Sequence, residues 1–303
     1  VSILPVVVNP VARGGRTGPP HELIERLAEQ RGLRVEWWAT QAPGHATELA
    51  ARAARDRLPA LAVFGGDGTY NEAARGLVGS ETALLVLPGG TTSVLAYELG
   101  IPRDVGEALI AQLDGERRAM AVARTNRGQL FLLMLSAGPD ARILTNLPPL
   151  LKLRAGKLGI TVQAFVEFLR GDLPQFTVTL NGARLDASWC IAGNSRFYGG
   201  PFAATPGADP FRRGLEVVTL TRHGRAAVVP FFFSIPSGRH VHMRGVERSA
   251  ADEVCLESGE EVPYQLDGDP AGVLPVTGRA SDERVWVLVP RMPRAQGTGH
   301  RAQ

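Results

Sequence analysis

The chain has 303 residues, 44% of them apolar and 21% charged, enough for two hydrophobic cores and too ordinary a composition for a disordered or fibrous chain. Its formal net charge of +3 comes without basic-aromatic interleaving, which argues against nucleic acid as a partner. No apolar run reaches the ~20 residues that span a bilayer, no basic flank marks a cleavable signal, and Cys190 and Cys255 sit in strand-like apolar surroundings, so a soluble cytoplasmic chain with buried free thiols is expected.

Residues 3–8 read as a strand. A loop rich in glycine and arginine follows, and Pro19-Pro20 opens a helix with Leu23, Ile24, Leu27 and Ala28 at helical spacing. Residues 33–38 alternate as a strand, and residues 44–57 form an alanine-rich helix behind a loop carrying Thr40. Two short apolar strands come next, at 60–64 and 84–87. The first runs into Gly65-Gly66-Asp67-Gly68-Thr69 and a helix from about Tyr70; the second into Pro88-Gly89-Gly90-Thr91-Thr92-Ser93 and a helix at 94–99. With one more helix at 104–113, this alternation predicts a doubly wound α/β sheet whose ligands lie at the strand C-termini.

Strand, glycine turn, helix is the layout of a phosphate-binding loop, because bare backbone amides and the helix N-terminus both attract anions. Two such units in succession put both loops on one sheet edge, where their amides and the hydroxyls of Thr69, Thr91 and Thr92 can converge on one polyphosphate. An acid inside the loop would repel phosphate, so Asp67 is expected to hold a cation or to stand near a nucleophile's proton. The chain contains neither Gly-x-x-x-x-Gly-Lys-Ser/Thr nor Gly-x-Gly-x-x-Gly with a ribose-binding acid.

Near Gly115 the pattern changes to short alternating segments at 117–125, 129–135, 176–180, 187–191, 215–220, 253–256, 264–266 and 285–289, which predict a mostly antiparallel β-rich second domain. Helical insertions are expected at 158–169 and 226–235, the latter holding Phe231-Phe232-Phe233, and a flexible tail after Arg291. The expected domains are therefore a nucleotide-binding α/β domain over 1–116, a β-rich substrate domain over 117–290 and the tail 291–303, with the active site in the cleft between the first two. Asp267-Gly268-Asp269 presents two carboxylates at a sharp turn, one able to hold a cation while the other takes a proton. His240 and His242, placed on one strand face, are read as structural.

These motifs together resemble the diacylglycerol kinase and sphingosine kinase catalytic-domain family, particularly its soluble bacterial lipid kinases. Gly65-Gly66-Asp67-Gly68-Thr69 with Asn71-Glu72 is similar to that family's nucleotide loop, and Leu87-Pro88-Gly89-Gly90-Thr91 to its second loop. Asn9-Pro10 with Gly14-Gly15, Thr40 with Gly44-His45-Ala46, Gly193-Asn194 with Tyr198-Gly199-Gly200, and Leu266-Asp267-Gly268-Asp269 follow in family order over about residues 3–290. The resemblance implies an ATP- and Mg²⁺-dependent lipid kinase acting on a hydroxyl of diacylglycerol or a related membrane lipid, at the inner membrane surface. It implies nucleotide contacts at Asn9, Thr40, Gly65, Gly66, Asp67, Gly68, Thr69, Asn71, Glu72, Gly89 and Thr91, and substrate contacts at Asn194, Tyr198 and Gly199. It gives the base role to the acid after the glycine, Asp269, with Asp267 and Asp67 as competitors and as the tentative Mg²⁺ ligands.

The chain departs from the family at three places. Asp269 stands where the family carries Glu, and Ser93-Val94 where it often carries Asn-Asp. Arg212-Arg213-Gly214 replaces an Asp-Asp-Gly segment that resembles a structural magnesium site, so Arg213 is expected to supply the positive charge there, pairing with Asp209 or Glu216. Membrane contact is expected through Phe231-Phe232-Phe233 with Arg222 and Arg225, and through Leu150-Leu151 beside Lys152, Arg154 and Lys157. Two other readings remain: a nucleotide-binding regulatory protein that has lost catalysis, and an NAD kinase, which shares Gly-Gly-Asp-Gly.

Overall fold

The computed structural model describes residues 2–10, 18–90, 92–146 and 174–291. Thr91, the expected helix at 158–169, the tail after Arg291 and the trio Lys152, Arg154 and Lys157 lie outside these residues. Strands β1 (Ser2–Val8), β3 (Ala60–Gly65) and β4 (Ala83–Pro88) are near-continuous apolar runs because, past their first residues, both of their faces are covered. With the half-buried edge strand β2 (Leu33–Ala39) they pair in parallel in the order β2-β1-β3-β4. Helices α1 (His21–Glu29), α2 (His45–Arg55), α3 (Asp67–Leu77), α4 (Val94–Glu98) and α5 (Val105–Leu113) link and cover them. Asp104 caps α5 by accepting the Glu107 N–H at 3.0 Å.

The second half runs β5 (Glu116–Thr125), β6 (Leu130–Phe131), β7 (Met134–Ala137), α6 (Pro139–Thr145), β8 (Phe176–Leu180), β9 (Ala183–Ala187) and β10 (Trp189–Gly193). A small hairpin of β11 (Phe197–Tyr198) and β12 (Phe202–Ala203) follows, then β13 (Leu215–Leu220) and helix α7 (Arg225–Ser234). The chain closes with β14 (Val246–Ala251), β15 (Glu253–Glu257), β16 (Pro263–Leu266), β17 (Asp269–Val273) and the long β18 (Val276–Val289). A wholly antiparallel sheet, β14-β13-β10-β7-β16-β17, forms its own layer. The architecture is thus an N-terminal α/β domain joined to an antiparallel β-rich one, as the alternating segments predict.

Strand β18 stitches the two halves together. It pairs antiparallel with β15 at one end, parallel with β4 at Val287–Leu84 at the other, and antiparallel with β5 along most of its length. Val285, Val287 and Val289 therefore complete the core that holds Val7, Leu85 and Leu109. Beside that single β4 pairing, Gln112 reaches in from α5, accepting the Val86 N–H at 2.8 Å and donating to its carbonyl at 2.7 Å. A wholly buried glutamine thus takes the place of a ladder rung.

Two sequence readings change. Residues Arg239–His242 form a 3₁₀ turn rather than a strand, because Gly238 breaks the chain with φ +69°; His240 is buried, its Nε2 2.8 Å from the Ala204 carbonyl. Arg213 pairs with neither Asp209 nor Glu216. It bridges Asp252 at 2.6 Å and Asp282 at 3.0 Å, while Glu216 is held by Arg248 and by the Gly207 N–H. Both true partners are distant in sequence, so local spacing could not reveal them. Cys190 and Cys255 are free, the first buried and the second half-buried.

Candidate active site

The glycine loops after β3 and β4 lie against each other at the C-terminal sheet edge. A Cβ on Gly89 would stand 2.9 Å from the Gly65 nitrogen, and one on Gly90 2.9 Å from the Gly66 Cα. Loop-to-loop packing alone therefore demands glycine there, whatever the loops bind. Asp67 is the first residue of α3, three positions before the helix start expected from the sequence. Its carboxylate accepts the N–H groups of Val94 at 2.9 Å and Leu95 at 2.9 Å, so the acid of the first loop caps the short helix after the second. Ser93, just before that helix, holds φ +45°, a conformation that Asn adopts more readily. Tyr70, which sequence reasoning missed, is fully buried and its hydroxyl lies 2.7 Å from the Gly65 carbonyl and 2.9 Å from that of Leu87, tying both strand ends to α3.

Asn9 donates to Thr69 Oγ1 at 3.2 Å, and Thr40 hydrogen-bonds through its backbone N–H to Val8, so the ends of β1 and β2 border the same edge. Glu72 lies one turn into α3 with its backbone carbonyl taking the Thr47 hydroxyl at 2.8 Å. Asn71 points the other way, to the second half: its Nδ2 donates to Asp267 at 2.6 Å and to the Leu130 carbonyl at 3.3 Å.

The hairpin between β16 and β17 brings the remaining two acids. Asp267, with φ +53°, accepts the N–H groups of Leu132 and Leu133 at 2.8 Å and of Met134 at 2.9 Å besides the Asn71 amide. Burial pushes its carboxyl up to about 6 against these donors. It is a clamp joining α3, the β6–β7 link and the hairpin, with both oxygens already committed. Two residues on, Asp269 is exposed, and its Oδ2 hangs over Gly68, 3.2 Å from where a Cβ would be. Asp67 and Asp269 thus converge on the mouth of the first glycine loop. Burial holds the Asp67 carboxyl above its ordinary range, the Val94 and Leu95 amides oppose this, and the charge of Asp269 adds to it.

Two family models cover most of the chain: the diacylglycerol kinase catalytic domain over residues 4–125, and the YegS C-terminal NAD kinase beta sandwich-like domain over residues 134–289. The chain belongs to the diacylglycerol kinase catalytic-domain family. It is 26% identical over 266 residues to the diacylglycerol kinase of Bacillus subtilis, covering 82% of this chain and 83% of that one. It is also 26% identical over 294 residues to that of Mycobacterium tuberculosis, covering 94% of each. A crystal structure from Bacillus anthracis shares the fold, with a TM-score of 0.78 at 22% identity over 95% of both chains. At the level of this family the protein is a lipid kinase, a phosphotransferase that uses a nucleotide.

Of the residues expected on the substrate side, Asn194 is only 1% exposed. It donates to the carbonyls of Ala121 at 2.9 Å and Leu132 at 2.8 Å, bracing β5 against the β6–β7 link rather than facing solvent. Tyr198 donates to Asp140 at 3.1 Å, and Gly199 turns the small hairpin with φ +61°. Asp140 was not singled out from the sequence, where a lone acid after Gly-Pro gives no signal. It is buried at the start of α6, burial raises its carboxyl, and Gln265 Nε2 approaches it at 3.4 Å. Gln265 in turn accepts the Gly268 N–H at 2.7 Å. A polar chain thereby runs from the Tyr198 hairpin through Asp140 and Gln265 to the turn that carries Asp267 and Asp269.

Proposed function

We propose that this kinase transfers the γ-phosphoryl group of ATP to the hydroxyl of a membrane lipid such as diacylglycerol. The observation that carries the reading is the arrangement of the two acids on the hairpin. Asp267 is consumed by its four donors, whereas Asp269 is exposed and holds its Oδ2 over Gly68 of the glycine loop. In this scheme Asp269 Oδ2 accepts the proton of the acceptor hydroxyl. The hydroxyl oxygen bonds to the γ-phosphorus as the bond to the β–γ bridging oxygen breaks. Amides of the loops at Gly65–Gly68 and Gly89–Gly90, with Thr69, Asn9, Thr40, Asn71 and Glu72 around them, are the proposed nucleotide cradle, and the Tyr198-Gly199 hairpin with buried Asn194 behind it borders the lipid side.

A carboxylate such as Asp67, whose ionisation is opposed by burial and by a second acid across a glycine loop, suits a divalent cation. Among the described residues no set of three His, Cys, Asp or Glu side chains could hold a metal unaided. Mg²⁺ keeps waters and phosphate oxygens in its shell and needs only one or two carboxylates, here Asp67. The ion would supply charge neutralisation on the transferring phosphate. Its other expected ligand, Asp267, is fully used by hydrogen bonds and drops out of the proposed set, while Asp269 keeps the role of base. In this reading Arg213, which bridges Asp252 and Asp282, supplies the charge that a second ion gives in the family. No described helix is long and apolar enough to cross a membrane, and peripheral contact with the inner membrane surface is part of the proposal.

The test is phosphorylation with γ-labelled ATP across diacylglycerol, monoacylglycerol, sphingosine and ceramide dispersed in detergent, with NAD as a further arm. Label in the organic phase that depends on Mg²⁺ is expected. Label on NAD alone, or ATP binding without turnover on any acceptor, refutes the lipid reading in favour of an NAD kinase or a regulatory protein.

A further inference from the structure

Strands β13 and β14 are antiparallel neighbours, Leu220 opposite Val246, and a few residues would suffice to join them. The chain instead makes an excursion over residues 221–245, closed at its base where Thr221 N–H and Oγ1 meet the Gly245 carbonyl at 2.8 and 3.0 Å. Long ordered connections of this kind are usually functional.

Its composition is segregated. Residues 226–238 carry no charge, while Arg222, Arg225, Arg239 and Arg244, with His223 and His242, flank them, all exposed and with no Asp or Glu from 222 to 244. Removing these four arginines leaves 29 basic against 30 acidic residues, a net of −1, so the excursion carries more than the chain's whole positive excess. Its two basic ends meet at the base, where the Arg222 side chain lies against Gly245.

Within the uncharged stretch the three phenylalanines divide. Phe231 is buried against Trp189 at 5.2 Å between ring centroids, Phe232 is half-buried and stacked on Trp189 at 6.0 Å, and Phe233 meets Phe232 edge-on at 5.3 Å. Phe233 is 67% exposed, the only large apolar side chain so exposed among the described residues. With Ala226 and Pro230 it forms an exposed apolar stripe at positions i, i+4 and i+7 of α7. The excursion also packs on the small hairpin: Phe231 shares a core with Tyr198 and Phe202, and His240 bonds to Ala204.

We propose that the 222–244 excursion is the surface by which the protein docks on an anionic bilayer, Phe233 entering the acyl boundary and the arginines lying on lipid phosphates. A helix with an apolar stripe, basic flanks and no acid is complementary to such an interface. Its contact with the Tyr198 hairpin puts the substrate side of the cleft next to the bilayer. The purpose of the surface rests on the lipid-kinase reading, whereas the binding is measured without turnover.

The experiment is co-sedimentation with large unilamellar vesicles of equal parts phosphatidylcholine and phosphatidylglycerol, and with phosphatidylcholine alone. Binding is expected to the first and not the second. R225S/R244S should weaken it by roughly fivefold per arginine at low salt, and Phe233→Ser should weaken it comparably. R26S/R55S, the same charge change on exposed helix positions of the first domain, should stay within about twofold of the parent. Sedimentation velocity without lipid completes the set. The proposal is overturned if the parent does not bind, if the control pair loses as much as R225S/R244S, if Phe233→Ser binds like the parent, or if Phe233 instead supports a dimer in solution. Turnover on detergent-dispersed diacylglycerol should be equal in all variants; its absence everywhere would refute the kinase reading and leave the docking result standing.

Discussion

Replacing Asp267 by Ala removes the acceptor of four hydrogen bonds, three of them from the buried backbone of Leu132, Leu133 and Met134. Bonds to an ionised acceptor contribute about 1.5–3 kcal/mol each, so the gross loss is at least ~6 kcal/mol. Against this stands relief from burying the charge, which raises the carboxyl to about 6 even with these donors in place and so offsets part of the loss. Alanine at φ +53° adds back ~1 kcal/mol. The net expectation is a loss of a few kcal/mol, or roughly 5 °C in melting temperature for a chain of this size. Asp267→Asn should lose about half as much, because Asn keeps one acceptor oxygen and tolerates the left-handed conformation. The Asn71 Oδ1, buried without a partner, can then accept from the new amide if Asn71 turns over. Thermal unfolding followed by circular dichroism measures both. Melting of D267A within about 2 °C of the parent would refute the clamp and return Asp267 to the candidates for proton transfer.

The other expectations separate chemistry from scaffolding. Asp269→Asn should lower kcat by ~10²-fold or more with little change in the KM for ATP and in melting temperature, since the side chain is exposed; an unchanged kcat would move the base elsewhere. Asp140→Asn should respond to pH. Burial raises the Asp140 carboxyl above its ordinary 3.8, so the parent's stability from this group is full below that value and falls as pH rises through the raised one. Denaturant melts from pH 4 to pH 8 should therefore show the variant gaining on the parent as pH rises, and a constant gap would contradict the burial argument. Arg213→Ala should shift the melting temperature only modestly, the difference shrinking in 1 M salt because the bridges to Asp252 and Asp282 are exposed. The parent should show no rise in melting temperature with Mg²⁺ in the absence of nucleotide; a large rise would mean that Arg213 does not stand in for an ion.

What the sequence made legible was whatever is written in contiguous residues. The runs at β3 and β4, the glycines that follow them and the alternation of the later strands mark the parallel and antiparallel halves because burial on two faces or one imposes those patterns. The glycine loops and the Asp-Gly-Asp turn were visible for the same reason. What stayed hidden were interactions set by tertiary closure: Asp67 capping a helix 27 residues on, Asp267 gripping a backbone 135 residues away, and Gln112 filling a gap in the sheet. Asp267 and Asp269 look equivalent as letters. The backbone amides that crowd Asp267, and the exposed place of Asp269 over Gly68, distinguish a clamp from an acid at the loop's mouth.

Strand β18 carries a consequence for how the protein is made. The first half's core lacks Val285, Val287 and Val289 until the last strand arrives, so the glycine loops emerging early from a ribosome stand at the edge of an incomplete sheet. Strands β4 and β5 then offer unpaired edges during the time taken to synthesise roughly 160 further residues, about 8–30 s at ordinary elongation rates. The two halves, separable by eye, mature together. A holdase that covers the β4 edge should raise the yield of this chain more than that of a protein whose nucleotide-binding sheet closes from within its own sequence.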